Sequence, residues 1–289
     1  MPKPIPSSPA AKAEYLRALS AVEELHGNMA VLARLGLLLR RPDSSIDDVA
    51  RLLQTDGALC ANIIRISNSV LYGFGARSTT IHEALVKVGY NRILTLIGAA
   101  LSKRLFMRDL DAYGMSADDY WSYSYFCAVL LEQQAHRAGQ SSEDAYMVGL
   151  LHALGRVVIN DLLVKTRIEV YWDRSIPSEE WEEILIGFRH DEAGAMLLRR
   201  WKFSPEVHDR VARQKDPAAI VADPLLQLLD YARHCAELNH FKLDGPDWRA
   251  PENHPWTQAP GFDAEEHAYA IEHARRACRQ IAQVIKEAT

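Results

Sequence analysis

In the stretch Gly149-Leu150-Leu151-His152-Ala153-Leu154-Gly155-Arg156 a single histidine stands in an apolar turn. A histidine followed directly by an aspartate would set an imidazole nitrogen beside a carboxylate oxygen. That donor pair suits hard or borderline divalent metals, and so metal-activated water. Here the next residue is Ala153, which offers no donor. Two other positions carry chemistry. His190 opens a helical pattern and is followed by Asp191 and Glu192, an acidic first turn that suits the helix dipole and points to capping and packing. Asp230 stands among Leu225, Leu226, Leu228, Leu229 and Ala232, so if it faces inward it needs a hydrogen-bond partner, for which His152 is the candidate. Gly73-Phe74-Gly75 lacks the preceding strand and the third glycine of a phosphate-binding loop. Cys60, Cys127, Cys235 and Cys278 lie far apart and form no CxxC pair, which points away from a zinc ribbon or disulfide framework and toward a reducing cytoplasm.

The elements that must position these residues are helical. Apolar residues recur at spacings of three and four, and alternating strand-like runs are scarce, which predicts an all-α protein. The periodicity predicts helices over 10–26, 29–40, 45–54, 57–69, 81–88, 90–108, 117–138, 142–153, 155–164, 178–187, 190–201, 205–214, 224–240 and 264–287. Thr80 with Glu83, and Ser116 with Asp119, have capping-box spacing; Ser204-Pro205-Glu206 sets a capping residue, a first-turn proline and an acid in sequence. Polar residues over 109–115 place a subdomain boundary there, giving an N-terminal extension and helix over 1–24, a helical subdomain over 25–112, a second over 113–240, and a loop and docking helix over 241–289. The loop from Leu243 to Gly261 carries Trp248 and Trp256, which should pin it to the body. In the last helix, Ile271, Ala274, Cys278, Ile281 and Ile285 form one stripe, which should dock on the domain or, alternatively, face a second copy of the chain.

Composition bounds the function. With 289 residues, 48% hydrophobic and 25% charged, the chain can bury a substantial core. A net charge of -5 argues against nucleic acid as a partner, and the pairs Lys103-Arg104 and Arg199-Arg200 read as solvated helix faces. The first residues contain no apolar signal-peptide core, and no stretch reads as a run of about 18 uncharged apolar residues. The sequence therefore predicts a cytoplasmic protein without membrane insertion.

Several ordered blocks carry a resemblance. They are Asp56-Gly57-Ala58-Leu59; Ile63-Ile64-Arg65-Ile66-Ser67-Asn68-Ser69 with Tyr72-Gly73; Ile81-His82-Glu83-Ala84-Leu85 with Val88-Gly89; Tyr120-Trp121-Ser122-Tyr123-Ser124 with Cys127-Ala128; Ala145 through Gly155; and His190-Asp191-Glu192-Ala193-Gly194-Ala195 with Leu198 and Trp201. Together they resemble the bacterial HDOD domains over roughly residues 25–217. The resemblance implies an all-helical fold whose second half is a degenerate relative of the HD and HD-GYP metal-dependent phosphohydrolases, serving as a signalling or regulatory module without their catalysis.

Set against the HD ligand pattern, the first histidine position is Tyr123, the His-Asp pair is His152-Ala153, and the last aspartate is Asp230. A His-His pair frequent in the family before a proline is replaced by Gln214-Lys215-Asp216 ahead of Pro217. Tyrosine and alanine do not replace the missing donors, and two remaining ligands are fewer than the three of a typical catalytic zinc site. The expectation is therefore no enzyme, no catalytic residue, no cofactor and no metal, with His152, Asp230 and His190 as remnants, and signalling or regulatory proteins as partners. Asn68, Tyr72, Trp172, Trp248 and Trp256 are the candidate interaction residues. Two alternatives stand beside this reading: a metal-dependent phosphohydrolase or phosphodiesterase with an unorthodox site around His152, His190 and Asp230, and a domain that senses a nucleotide without turning it over.

Overall fold

In a computed structural model of the chain, residues 26–69, 76–106, 109–243, 248–259 and 262–286 are described. Side-chain caps start the early helices. After α1 (His26–Leu39), Ser45 and Asp48 form a reciprocal capping box that opens α2 (Ile46–Leu53). The Asp56 carboxylate accepts from Leu59 N–H to open α3 (Gly57–Ser67), and the expected Thr80/Glu83 box opens α4 (Ile81–Val88). α5 (Ile93–Phe106) completes this group; it packs on α1, α3 and α4 and continues onto α6 (Ala117–Gln134).

The second group is built around α6, whose sequence is apolar on nearly every side and which is correspondingly buried almost all round. Against it pack α7 (Ser142–Leu151), α13 (Pro224–Leu238) and α14 (Ala264–Lys286). α8 (Leu154–Lys165) crosses α10 (His190–Arg200), with α9 (Ser178–Ile186) before it and α11 (Pro205–Arg213) and α12 (Pro217–Ala222) after it. One apolar core runs through both groups, from Leu32 and Ile97 to Leu197 and Ile281. Among the described residues there is no strand, only an isolated bridge between Leu110 and Met115.

The expected helices lie where the periodicity puts them, except that 10–26 falls almost wholly outside the described residues. α12 went unread because a six-residue helix is too short to show a period; Asp216 caps it by accepting from Ala218 N–H. Two capping expectations need correction. Ser116 accepts from Asp119 N–H without the reciprocal bond of a box, and Ser204 makes no side-chain cap bond, so the proline after it sets that helix start.

The stretch over 109–115, where the sequence places a subdomain boundary, is tied down by hydrogen bonds. The Asn160 amide accepts from Ala112 N–H and donates to the Asp109 carbonyl, and Trp172 N–H donates to the Ala112 carbonyl at 2.7 Å. A buried backbone must find partners, and α8 and the segment that follows it supply them here. The stripe of the last helix docks as expected, with Ile271, Ala274, Cys278 and Ile281 buried. Residues 142–165, which span α7 and α8, are long and apolar enough to cross a membrane although they carry charged residues such as Arg156 and Asp161; 89% of their most apolar window is buried inside the protein, as in a core helix pair.

Candidate functional site

His152 sits in the short break between α7 and α8, a place created by two glycines. A Cβ on Gly149 would lie 2.6 Å from the Ala128 Cα of α6, and one on Gly155 would lie 1.8 Å from the His190 carbonyl oxygen of α10. Both contacts are impossible for a side chain, so the glycines let two helix backbones close on the segment from either side. His152 is thereby fully buried. Its Nδ1 lies 2.7 Å from the Gly149 carbonyl, to which it donates, and its ring meets the Tyr123 ring edge-on at 4.8 Å. Burial, with Arg233 and Arg156 adding to it, holds the imidazole well below its usual pKa and therefore neutral.

The Tyr123 ring also meets Arg156, which is 0% exposed. Its guanidinium lies over the rings of Tyr113, Tyr123 and Trp172 at 5.4, 5.6 and 5.8 Å and donates to Ser178 Oγ at 3.1 Å. The matching acid is Glu182 on α9, also fully buried. Its carboxylate accepts from the Tyr113 hydroxyl at 2.8 Å, from His190 N–H at 2.7 Å and from His190 Nδ1 at 2.8 Å. Burial pushes Glu182 up to about 7 against the pull of Arg156 and these donors, and burial beside Arg156 holds His190 neutral.

Two more cations approach from below. Lys215 pairs with Glu179 at 2.9 Å; although burial works against ionisation, Lys215 holds Glu179 down at about 2. Arg233 donates to the Gln214 carbonyl at 3.1 Å and pairs with Asp230, while the Gln214 amide donates to the His152 carbonyl at 2.7 Å. Gln214 and Lys215 thus act as cross-ties. Tyr120 Oη holds the Ala153 carbonyl at 2.9 Å, fixing the position that an aspartate would occupy.

A metal of the HD type does not fit these residues. Ala153 offers no donor and burial keeps the Tyr123 hydroxyl protonated, so His152 Nε2, left free by the bond from Nδ1 to the Gly149 carbonyl, is the one ready nitrogen and stands alone. The arrangement does provide packing, fixed charge and closure. Tyr123 Oη, His152 Nε2 and Arg156 Nε find no hydrogen-bond partner among the described residues.

The structure unites Tyr123 and His152 as expected and brings His190 close by through Glu182. It corrects the expected contact between His152 and Asp230: the Asp230 carboxylate instead pairs with Arg233 and accepts from His254 Nε2 at 3.1 Å, because α13 turns it toward the C-terminal segment. Trp172 and Trp256, read as interaction anchors, are only 7% and 4% exposed and serve internal packing. Trp248 is half-buried with Arg275 over its ring at 4.7 Å, which pins the loop as expected. The Asn68 amide closes a local loop, donating to the Ser78 carbonyl and accepting from Ser78 N–H, both at 2.8 Å. Tyr72 lies outside the described residues. Sequence reasoning missed Arg156 and Glu182. The signal available was an arginine and a glutamate at positions where helical periodicity demands burial, at the end of the glycine-rich turn and within α9.

A sequence profile of the HDOD domain matches residues 28–217, about two thirds of the chain. The chain belongs to the HDOD domain family. An HDOD domain protein of unknown function from Geobacter sulfurreducens is 24% identical, with 87% of this chain and 91% of that one covered and a TM-score of 0.64. A provisionally named signal transduction protein from Marinobacter aquaeolei is 20% identical over 97% of this chain and 66% of its own, at a TM-score of 0.68. A provisionally named phosphohydrolase from Shewanella amazonensis is 22% identical over 91% and 97%, at 0.62. These structures share the fold. An uncharacterised Treponema pallidum protein is 28% identical over 173 residues; the match spans 58% of this chain and 33% of that protein, so the chain spans about a third of the relative's length.

Proposed function

We propose that this HDOD chain is a non-catalytic regulatory module that acts through contacts with signalling or regulatory proteins. The observation that carries the reading is Arg156: a permanently charged, fully buried guanidinium lies over three aromatic rings, one of which, Tyr123, also meets His152 edge-on. A site with its own fixed cation, a neutral His152 and no donor at Ala153 has nothing with which to activate water. What remains useful is the scaffold, two helical groups sharing one core.

The test is hydrolysis of bis(p-nitrophenyl) phosphate and of cyclic dinucleotides by the full chain with Mn²⁺, Fe²⁺ or Zn²⁺ supplied, with His152→Ala as reference. The expected result is no turnover that depends on His152. Turnover abolished by His152→Ala would overturn the reading in favour of a phosphohydrolase.

One observation favours a second reading. The unpartnered Tyr123 Oη, His152 Nε2 and Arg156 Nε lie within the field of two buried cations, Arg156 and Arg233, a setting suited to a small anion such as a nucleotide phosphate. Saturable thermal stabilisation by a nucleotide, lost in Arg156→Met, would place the chain among ligand sensors.

A further inference from the structure

Asp230, displaced from the role expected of it, takes part in a second cluster. Its carboxylate Oδ1 is held by Arg233, which leaves Oδ2 facing two imidazoles. His254 Nε2, from the C-terminal segment, is 3.1 Å from Oδ2, and His234 Nδ1, one turn along α13, is 3.7 Å from it. The candidate ligand atoms of the three residues lie within 4.8 Å of one another. Ligands about 2.1 Å from a tetrahedral zinc stand about 3.4 Å apart, so both measured separations are near what coordination needs.

We propose that Asp230, His234 and His254 form a binding site for one divalent transition-metal ion of the zinc class, which clamps the C-terminal segment onto α13. This inference is independent of the regulatory reading above. Two imidazoles and one carboxylate are a borderline-soft donor set suited to Zn²⁺, Co²⁺ or Ni²⁺ rather than Mg²⁺ or Ca²⁺. Access is graded: His254 is 7% exposed, Asp230 17% and His234 52%, so the ion would reach the site from the His234 side. On that side lies a groove of about 780 Å³ whose lining includes His234, Glu237, Arg249, Glu252 and Asn253. It leaves the fourth coordination position to water, and Glu237 and Glu252 offset the charge of Arg233 and Arg249. By occupying Oδ1, Arg233 orients the carboxylate as outer partners of metal ligands do.

Coordination has a local consequence. At present His254 Nδ1 accepts from Trp256 N–H at 3.2 Å, so the ring proton is on Nε2 and is donated to Asp230. A metal on Nε2 moves that proton to Nδ1 and breaks the bond from Trp256. His234 Nδ1 now donates to the Asp230 carbonyl at 2.8 Å; at a half-exposed position, water can take over that bond if this nitrogen turns to the metal.

The test is calorimetric titration of chelator-stripped full chain with Zn²⁺, together with the visible spectrum of the Co²⁺ form and Trp fluorescence. The expected result is one equivalent bound, a changed Trp signal, and a Kd weakened at least tenfold in both His234→Ala and His254→Gln. The Co²⁺ spectrum should lack thiolate charge-transfer bands. His234 is a half-exposed surface residue, so its variant keeps the fold, as circular dichroism would check, and His152→Ala should retain the zinc. Absence of saturable binding, thiolate bands, or an affinity unchanged in both variants would overturn the site. Zinc lost only in His152→Ala would overturn both this site and the regulatory reading.

Discussion

Glu182 offers a quantitative handle on the buried charge network. Its carboxyl is fully buried and raised from 4.5 to about 7, with burial as the leading cause. For a group whose folded pKa lies above its unfolded one, the protonated form favours the folded state. That contribution is complete below pH 4.5 and is lost as pH rises through about 7. The interval corresponds to about 3 kcal/mol of stability at pH 8 relative to pH 4.

Glu182→Gln removes the titration while keeping the shape. The Gln oxygen accepts from both His190 donors, and its amide donates to the Tyr113 hydroxyl, which can rotate to accept. Urea unfolding of both proteins from pH 4.5 to 8.5 measures the difference. The stability of the variant relative to the wild type should rise by about 3 kcal/mol across that range. Glu132, which burial also raises to about 7, contributes equally to both proteins and cancels. Parallel profiles would refute the account of Glu182 as a buried acid strained by ionisation.

Other predictions follow from single contacts. Gly155→Ala, which drives a Cβ into the His190 carbonyl, should cost about 3 kcal/mol or more, whereas Gly57→Ala, where nothing lies within 4 Å of the new Cβ, should stay within about 1 kcal/mol of wild type; equal urea midpoints would contradict the close crossing of α8 and α10. Asn68→Ala leaves the Ser78 peptide without both of its bonds and should lower stability by about 2 kcal/mol, measured by thermal unfolding. The double substitution Tyr123→His/Ala153→Asp returns metal-ligand types to the pocket but leaves Arg156 in place. It should give no Mn²⁺-dependent phosphodiester turnover, and turnover at a measurable rate would show that Arg156 does not block the metal.

Helix positions were legible in the sequence because most helices are long enough to show a period and carry Ser, Thr or Asp at their starts; α12, six residues long, was not. That the residues at 123 and 153, a tyrosine and an alanine, are poor metal donors was legible too. What surrounds them was not. Arg156 of α8 and Glu182 of α9 both converge on Tyr113, and no spacing in the chain encodes that a guanidinium will lie over Tyr113, Tyr123 and Trp172. Asp230 was placed on the right helix but on the wrong side of it. An apolar helix buried on several faces does not declare which neighbour an isolated acid meets, and the partner that decides it, His254, lies 24 residues further on.

The central claim is that a guanidinium and not a metal occupies the pocket beside His152. Crystals soaked in Mn²⁺ and measured at its absorption edge test it directly. The account predicts no anomalous peak within coordination distance of His152 Nε2, with Arg156 ordered between Tyr113, Tyr123 and Trp172, whether or not an ion binds at Asp230. A peak about 2.2 Å from His152 Nε2 with Arg156 displaced would contradict it.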